Sequence, residues 1–123
     1  MRNYRELKVW EKAHRLTLEI YRVTMSFPRE EIYGLQSQMR RCASSIPSNL
    51  AEGCGRETVP ELTRYLYIAS GSASELDYQL LLACDLGYLQ AKDYARLTEQ
   101  LNEVRKMLSS YLQKIKQDKE RAG

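Results

Sequence analysis

Apolar residues recur at every third or fourth position along most of the chain, the spacing that gathers them on one face of an α-helix. In the segment Leu35–Arg56, Leu35, Met39, Cys42, Ile46 and Leu50 step by 4, 3, 4 and 4. Leu7, Trp10, Ala13, Thr17, Ile20, Tyr21 and Thr24 keep the same rhythm before Phe27-Pro28. Leu62, Leu66, Ala69, Ala73, Leu76, Leu80 and Ala83 make a third stripe, and Leu97, Leu101, Val104, Leu108, Tyr111 and Ile115 form an unbroken heptad. No strand-like alternation appears. The pattern predicts helices over 5–26, 31–53, 59–86 and 92–116 within one domain, 1–123, whose charged tail, 117–123, frays. Short connections make the expected architecture all-α, an antiparallel up-down-up-down four-helix bundle.

Local signals mark the ends. Asn3 and Glu6 are spaced as a variant capping box, and Thr58 with Glu61, around Pro60, forms a stronger one. Glu30 and Glu31 suit the positive end of the second helix. Pro47 lacks the N–H that would serve the Ala43 carbonyl, so a kink is expected, with the Ser44 or Ser45 hydroxyl satisfying freed carbonyls. Gly53 and Gly55 then stop the helix, being able to take the left-handed cap conformation.

Two helices carry more than a core stripe. Ser37, Arg41, Ser44 and Ser48 lie opposite the apolar face of the second helix. Small residues such as Ser44 and Ser48 let another backbone approach; the alternative is a polar side that faces water. The third helix is apolar nearly all round, with Tyr67, Ile68, Tyr78, Leu81 and Leu82 outside its core stripe. A second stripe runs through Arg64, Ile68, Gly71, Glu75, Tyr78 and Leu82. A lone bundle offers no wall for it, so Ser44, Ser48, Ile68, Gly71, Glu75, Tyr78 and Leu82 are the expected oligomer interface, unless loops or N-terminal residues cover that side.

Composition narrows the chemistry. The three cysteines, Cys42, Cys54 and Cys84, are odd in number and lack CxxC spacing, which fits small packing residues in a reducing compartment. With no apolar run of signal-peptide or membrane-spanning length, a soluble, cytoplasmic protein is expected. Glu11-x-x-His14 has the spacing of a di-iron ligand pair, but such sites need two copies and the chain has 1 histidine. Glu52, Glu57 and Glu61, or Glu75 with Asp77, are read as caps and as ion pairs of Glu52 or Glu75 with Arg41 or Arg64. Gly53-Cys54-Gly55-Arg56 is too short for a phosphate loop and lacks its lysine. No metal, cofactor or catalytic residue is indicated, and the protein is not expected to be an enzyme.

Arg40, Arg41, Arg56 and Arg64 are the candidate nucleic-acid contacts, expected to gather at one end or edge of the bundle. Guanidinium forks hold phosphates and stack on bases. Within the assembly, Arg41 and Arg64 have carboxylates as an alternative. A further cluster, Arg105, Lys106, Lys114, Lys116, Lys119 and Arg121, reads as a solvated face, and the net charge of +3 permits an acidic partner without requiring one.

The runs LKVWEKA, FPREEIYGLQSQMRRCASSIPSNLAEGCGR and GSASELDYQLLLACDLGYL together resemble the 23S rRNA intervening-sequence proteins. Arg40, Arg41, Ser45, Ile46, Pro47, Ser48, Asn49, Ala51, Glu52 and Gly53 carry the most specific part of the resemblance. It implies an antiparallel four-helix bundle, a homopentamer and a basic surface suited to RNA or DNA. The accessory protein of diversity-generating retroelements, which pairs with a reverse transcriptase, is a distant relation. The expected function is thus a non-enzymatic homo-oligomer, ring-like, that binds RNA or DNA. The alternative is a scaffold for a partner protein, for which 9 tyrosines against 1 phenylalanine would suit the contacts.

Overall fold

In the computed structural model, which describes residues 2–122, four helices surround one apolar core: α1 (Lys8–Thr24), α2 (Leu35–Cys54), α3 (Val59–Asp85) and α4 (Ala91–Ala122). Met1 and Gly123 lie outside the described residues. Single 3-10 turns, Tyr4–Glu6 and Arg29–Glu31, precede α1 and α2. No strand occurs among the described residues.

Cross-helix contacts fix the directions. Thr17 meets Ala43 while Thr24, later in α1, meets Arg40, earlier in α2. Cys42 pairs with Glu75 and Ser45 with Ser72, Ser74 with Arg105 and Tyr67 with Lys116, Lys12 with Glu103 and Glu19 with Arg96. Every neighbouring pair is therefore antiparallel, and the expected up-down-up-down bundle is the observed fold.

The three later stripes are buried as expected, apart from Tyr111, which is half-buried. On α1 the core face is rotated from the expected stripe: Val9, Leu16 and Val23 join Ala13, Thr17, Ile20 and Thr24, whereas Tyr21 is exposed and Trp10 half-buried. Two interleaved stripes exist on this helix, and packing against both α2 and α4 selects the aliphatic one.

Ends differ from expectation where backbone geometry intervenes. The Asn3 side chain caps only the first 3-10 turn, accepting from the Arg5 N–H at 3.1 Å, and extended Leu7 then separates that turn from α1. Gly34, at φ −111° and ψ −117°, delays α2 to Leu35, whose N–H is accepted by Glu31 Oε1 at 3.0 Å. The second Glu31 oxygen accepts from Tyr88 Oη at 3.0 Å, tying this connection to the α3–α4 turn. Thr58 caps α3 as expected, its hydroxyl accepting from the Glu61 N–H at 3.3 Å and donating to the Glu61 carboxylate at 3.0 Å. Neither Gly53 nor Gly55 takes a left-handed conformation: Gly53 is inside α2 and Gly55 has φ −82°, whereas Gly87 has φ +82°. The expected break after Lys116 is absent, and α4 continues to Ala122.

No helix among the described residues is long and apolar enough to cross a membrane.

Candidate functional site

The segment around Pro47 is held in shape from another helix. Pro47 is buried within α2, and the Ala43 carbonyl it leaves without a helical donor lies 3.0 Å from the Thr17 hydroxyl of α1. That hydroxyl also lies 2.8 Å from the Ala13 carbonyl, which already has a helical partner in the Thr17 N–H. Ser44 instead donates to Arg41 O, and Ser45 shares a 2.9 Å hydrogen bond with Ser72. The expected serine rescue of the kink is thus replaced by a threonine 26 positions away.

The four candidate arginines are divided among three environments. Arg40 is half-buried and turned toward α1: its Nε donates to Thr24 Oγ1 at 2.9 Å, Nη2 donates to Tyr21 O at 3.1 Å, and the guanidinium stands 4.7 Å from the Tyr21 ring centre. It clamps the end of α1 onto α2. Arg41 is exposed on the other flank of α2, donating to Ser37 Oγ at 2.7 Å. Arg56 and Arg64 converge on Tyr65, their guanidinium carbons 5.1 and 5.9 Å from its ring centre. Arg56 also donates to Tyr65 Oη at 2.9 Å and pairs with Glu52. Roughly 20 Å of α2 separates Arg41 from this pair. Only Arg56 and Arg64 are brought together, and Tyr65, which sequence reasoning passed over, is what joins them.

Arg41 and Glu75, assigned separately from the sequence, share the walls of a polar recess of about 480 Å³ between α2 and α3, with Gln38, Cys42, Ser45, Ser72 and Gln79. Glu75 Oε2 accepts from the Cys42 thiol at 2.9 Å, and among the described residues the expected ion pair of Glu52 or Glu75 with Arg41 or Arg64 does not form; Glu52 pairs with Arg56 instead. Desolvation, helped by Glu75, pushes the Cys42 thiol up to about 11, making it a protonated donor rather than a nucleophile. Gln79 is 5% exposed, and its amide oxygen has no hydrogen-bond partner among the described residues.

The candidate interface residues occupy two faces. Half-buried Ser44 and exposed Ser48 border a recess of about 300 Å³ between α1 and α2, walled by Tyr4, Trp10 and His14. Ile68, Gly71, Glu75 and Tyr78 lie exposed along α3, where Ile68 and Tyr78 are 41% and 60% accessible. Leu82 is half-buried and packs on the core. A Cβ at Gly71 would meet nothing within 4 Å, so packing within the chain gives no reason for glycine there.

His14 stacks on Trp10, ring centres 5.2 Å apart and 6° from parallel, and Glu11 pairs with Arg15. On the α1–α4 side, Glu19 pairs with Arg22 and Arg96. The hydrogen bond from Arg22 is the main influence holding the Glu19 carboxyl below its ordinary range, with the Arg96 charge acting in the same sense against desolvation.

Residues 5–110, spanning three complete helices and much of the fourth, match the description "23S rRNA-intervening sequence protein". The chain belongs to this family. A crystal structure of a protein of unknown function from the S23 ribosomal protein family of Bacteroides thetaiotaomicron is similar to it with a TM-score of 0.79 at 22% identity. The similarity covers 85% of this chain and 95% of that one, and supports the shared bundle fold. No functionally curated protein matches the chain.

Proposed function

We propose that this family member is a non-enzymatic, ring-like homo-oligomer, a pentamer, that binds RNA or DNA through arginine patches repeated around the ring. The observation that carries the nucleic-acid reading is the convergence of Arg56 and Arg64 on Tyr65. Two delocalised cations beside an aromatic ring offer both phosphate contacts and a stacking surface. Their position favours this use. The half of the bundle around the α2–α3 turn (residues 2–12, 48–67 and 110–122) holds 10 basic and 7 acidic residues, against 9 of each elsewhere. Repetition around a ring turns this modest excess into a multivalent surface.

The assembly reading rests on the two separate faces, Ser44 with Ser48 and the α3 stripe. Two different patches on one subunit suit a head-to-tail contact, the kind that closes into rings. An exposed mid-helix glycine at position 71 costs roughly 0.5–1 kcal/mol relative to alanine, and close approach of a neighbouring subunit would account for it.

Fluorescence anisotropy of a labelled, structured RNA at several salt concentrations tests the reading. Affinity should fall steeply with salt, and Arg56→Ala with Arg64→Ala should reduce the log–log salt slope by about two. Wild-type affinity and slope in the double variant would move the site elsewhere; absence of binding at low salt would remove the nucleic-acid reading. The alternative, a scaffold for a partner protein, draws on the exposed Tyr33, Tyr67 and Tyr78 and predicts an interaction little affected by salt.

A further inference from the structure

A groove between α3 and α4 is left over once the arginine patches and the expected subunit contacts are assigned. Two adjoining recesses, of about 470 and 190 Å³, share Tyr67, Ser109 and Leu112, so they form one channel along the helix pair. It extends from Arg105 to Glu120 on α4, roughly 22 Å at the helical rise per residue. We infer that this groove is a binding site for single-stranded RNA, with Tyr67 as a stacking platform and Lys116 and Arg105 as phosphate contacts; the inference rests on the nucleic-acid reading above.

Four observations converge on this occupant. The Tyr67 ring is 50% exposed at the point where the two recesses meet, and the Lys116 ammonium stands 5.5 Å from its centre. An ammonium resting on an exposed ring can move to a phosphate while a base takes its place on the π face, so both groups keep a favourable partner. Arg105 is 3.4 Å from Ser74 Oγ and only 3.8 Å from Asp77, a loose arrangement on a half-exposed side chain that a phosphate can replace. From Arg105 to the end of α4 the helix has 6 basic and 2 acidic residues, more positive charge than the whole chain carries net. Hydroxyls of Ser74 and Ser109 supply donors and acceptors for a ribose 2′-OH, and Glu120 is the one acidic residue among the groove walls.

Continuity with the arginine patch strengthens the assignment. Arg64 is three residues before Tyr67 on α3, so the two side chains are neighbours on the helix surface. A strand held at the Tyr65 cluster would therefore run into the groove. The bases of a duplex are paired and stacked on one another and cannot lie on Tyr67, which is why a single strand is the fitting ligand.

The test compares binding of a short fluorescein-labelled, unstructured RNA, the DNA strand of the same sequence and an RNA duplex to wild type, Tyr67→Ala and Lys116→Glu. Both changed side chains are exposed or at the surface, and thermal melts check that each variant folds. Single-stranded RNA should bind wild type most tightly. Tyr67→Ala should weaken that binding about tenfold, and Lys116→Glu should lower the salt slope by at least about 0.7. Wild-type RNA affinity in both variants, with wild-type binding intact, overturns the groove and leaves the arginine patch standing. Equal or tighter binding of the DNA strand or the duplex overturns the single-stranded RNA assignment. A changed particle mass in Tyr67→Ala with RNA affinity retained marks the groove as a subunit contact and overturns it as well. No binding of any nucleic acid by wild type overturns both this inference and the reading on which it rests.

Discussion

A single hydrogen bond lets α2 carry a proline at its centre. The Ala43 carbonyl loses its helical donor to Pro47, and burial keeps water from replacing it, so the Thr17 hydroxyl is the remaining donor. Thr17→Val keeps the shape and removes that donor, leaving a buried acceptor unpaired. It should cost about 1–3 kcal/mol of unfolding free energy in urea titrations. The cost should shrink in a Pro47→Ala background, where residue 47 regains an N–H for Ala43; an equal cost in both backgrounds would show that Thr17 acts by other means.

Within the α2–α3 pair, Gly53 sets how closely the helix ends approach. A Cβ at this position would lie 3.1 Å from both Leu62 Cδ1 and Tyr65 Cβ. Leu62 Cδ1 can swing aside, but Tyr65 Cβ moves only with its backbone. Alanine would gain up to about 1 kcal/mol of helix propensity against about 1–3 kcal/mol for overpacking. Overpacking should prevail, so Gly53→Ala is expected to lower stability by about 1 kcal/mol. It should also disturb the position of Tyr65 and hence of the two arginines beside it. An unchanged denaturation midpoint would mean that the α2–α3 ends yield freely. Charge acts between elements too. Because the Glu19 carboxyl is held below its ordinary range, its ion pairs support the α1–α4 contact above the unfolded carboxylate pKa and are lost as acid protonates it.

For the whole molecule, the governing question is what covers α3. Ile68 and Tyr78 are exposed on the side of α3 away from its core stripe, and Leu81 is exposed on the adjoining flank. Burial in a neighbouring subunit would make a charge there costly. Tyr78→Glu and Ile68→Lys should each reduce the mass measured by light scattering toward the single subunit, 14.3 kDa, while the helical circular dichroism persists. Unchanged mass in both variants would assign the assembly contact to another face.

Local information in the sequence determined the four helices, the core stripes of the later three and the Thr58 cap, because helical periodicity and capping act within a few residues. It also singled out the Pro47 segment and the charged residues. Only the tertiary structure decided which α1 stripe is buried, since that helix has two of similar strength and its neighbours select between them. Partner choice was likewise a matter of register across helices. Arg40 turned inward to Thr24 and Tyr21, Arg56 and Arg64 met at Tyr65, Cys42 met Glu75, and Thr17 reached Ala43. The α1–α2 and α2–α3 bonds among these join residues 16 to 33 positions apart. Helical period gives each residue a face, but the neighbour it meets there depends on the rotation and offset of the packed helices.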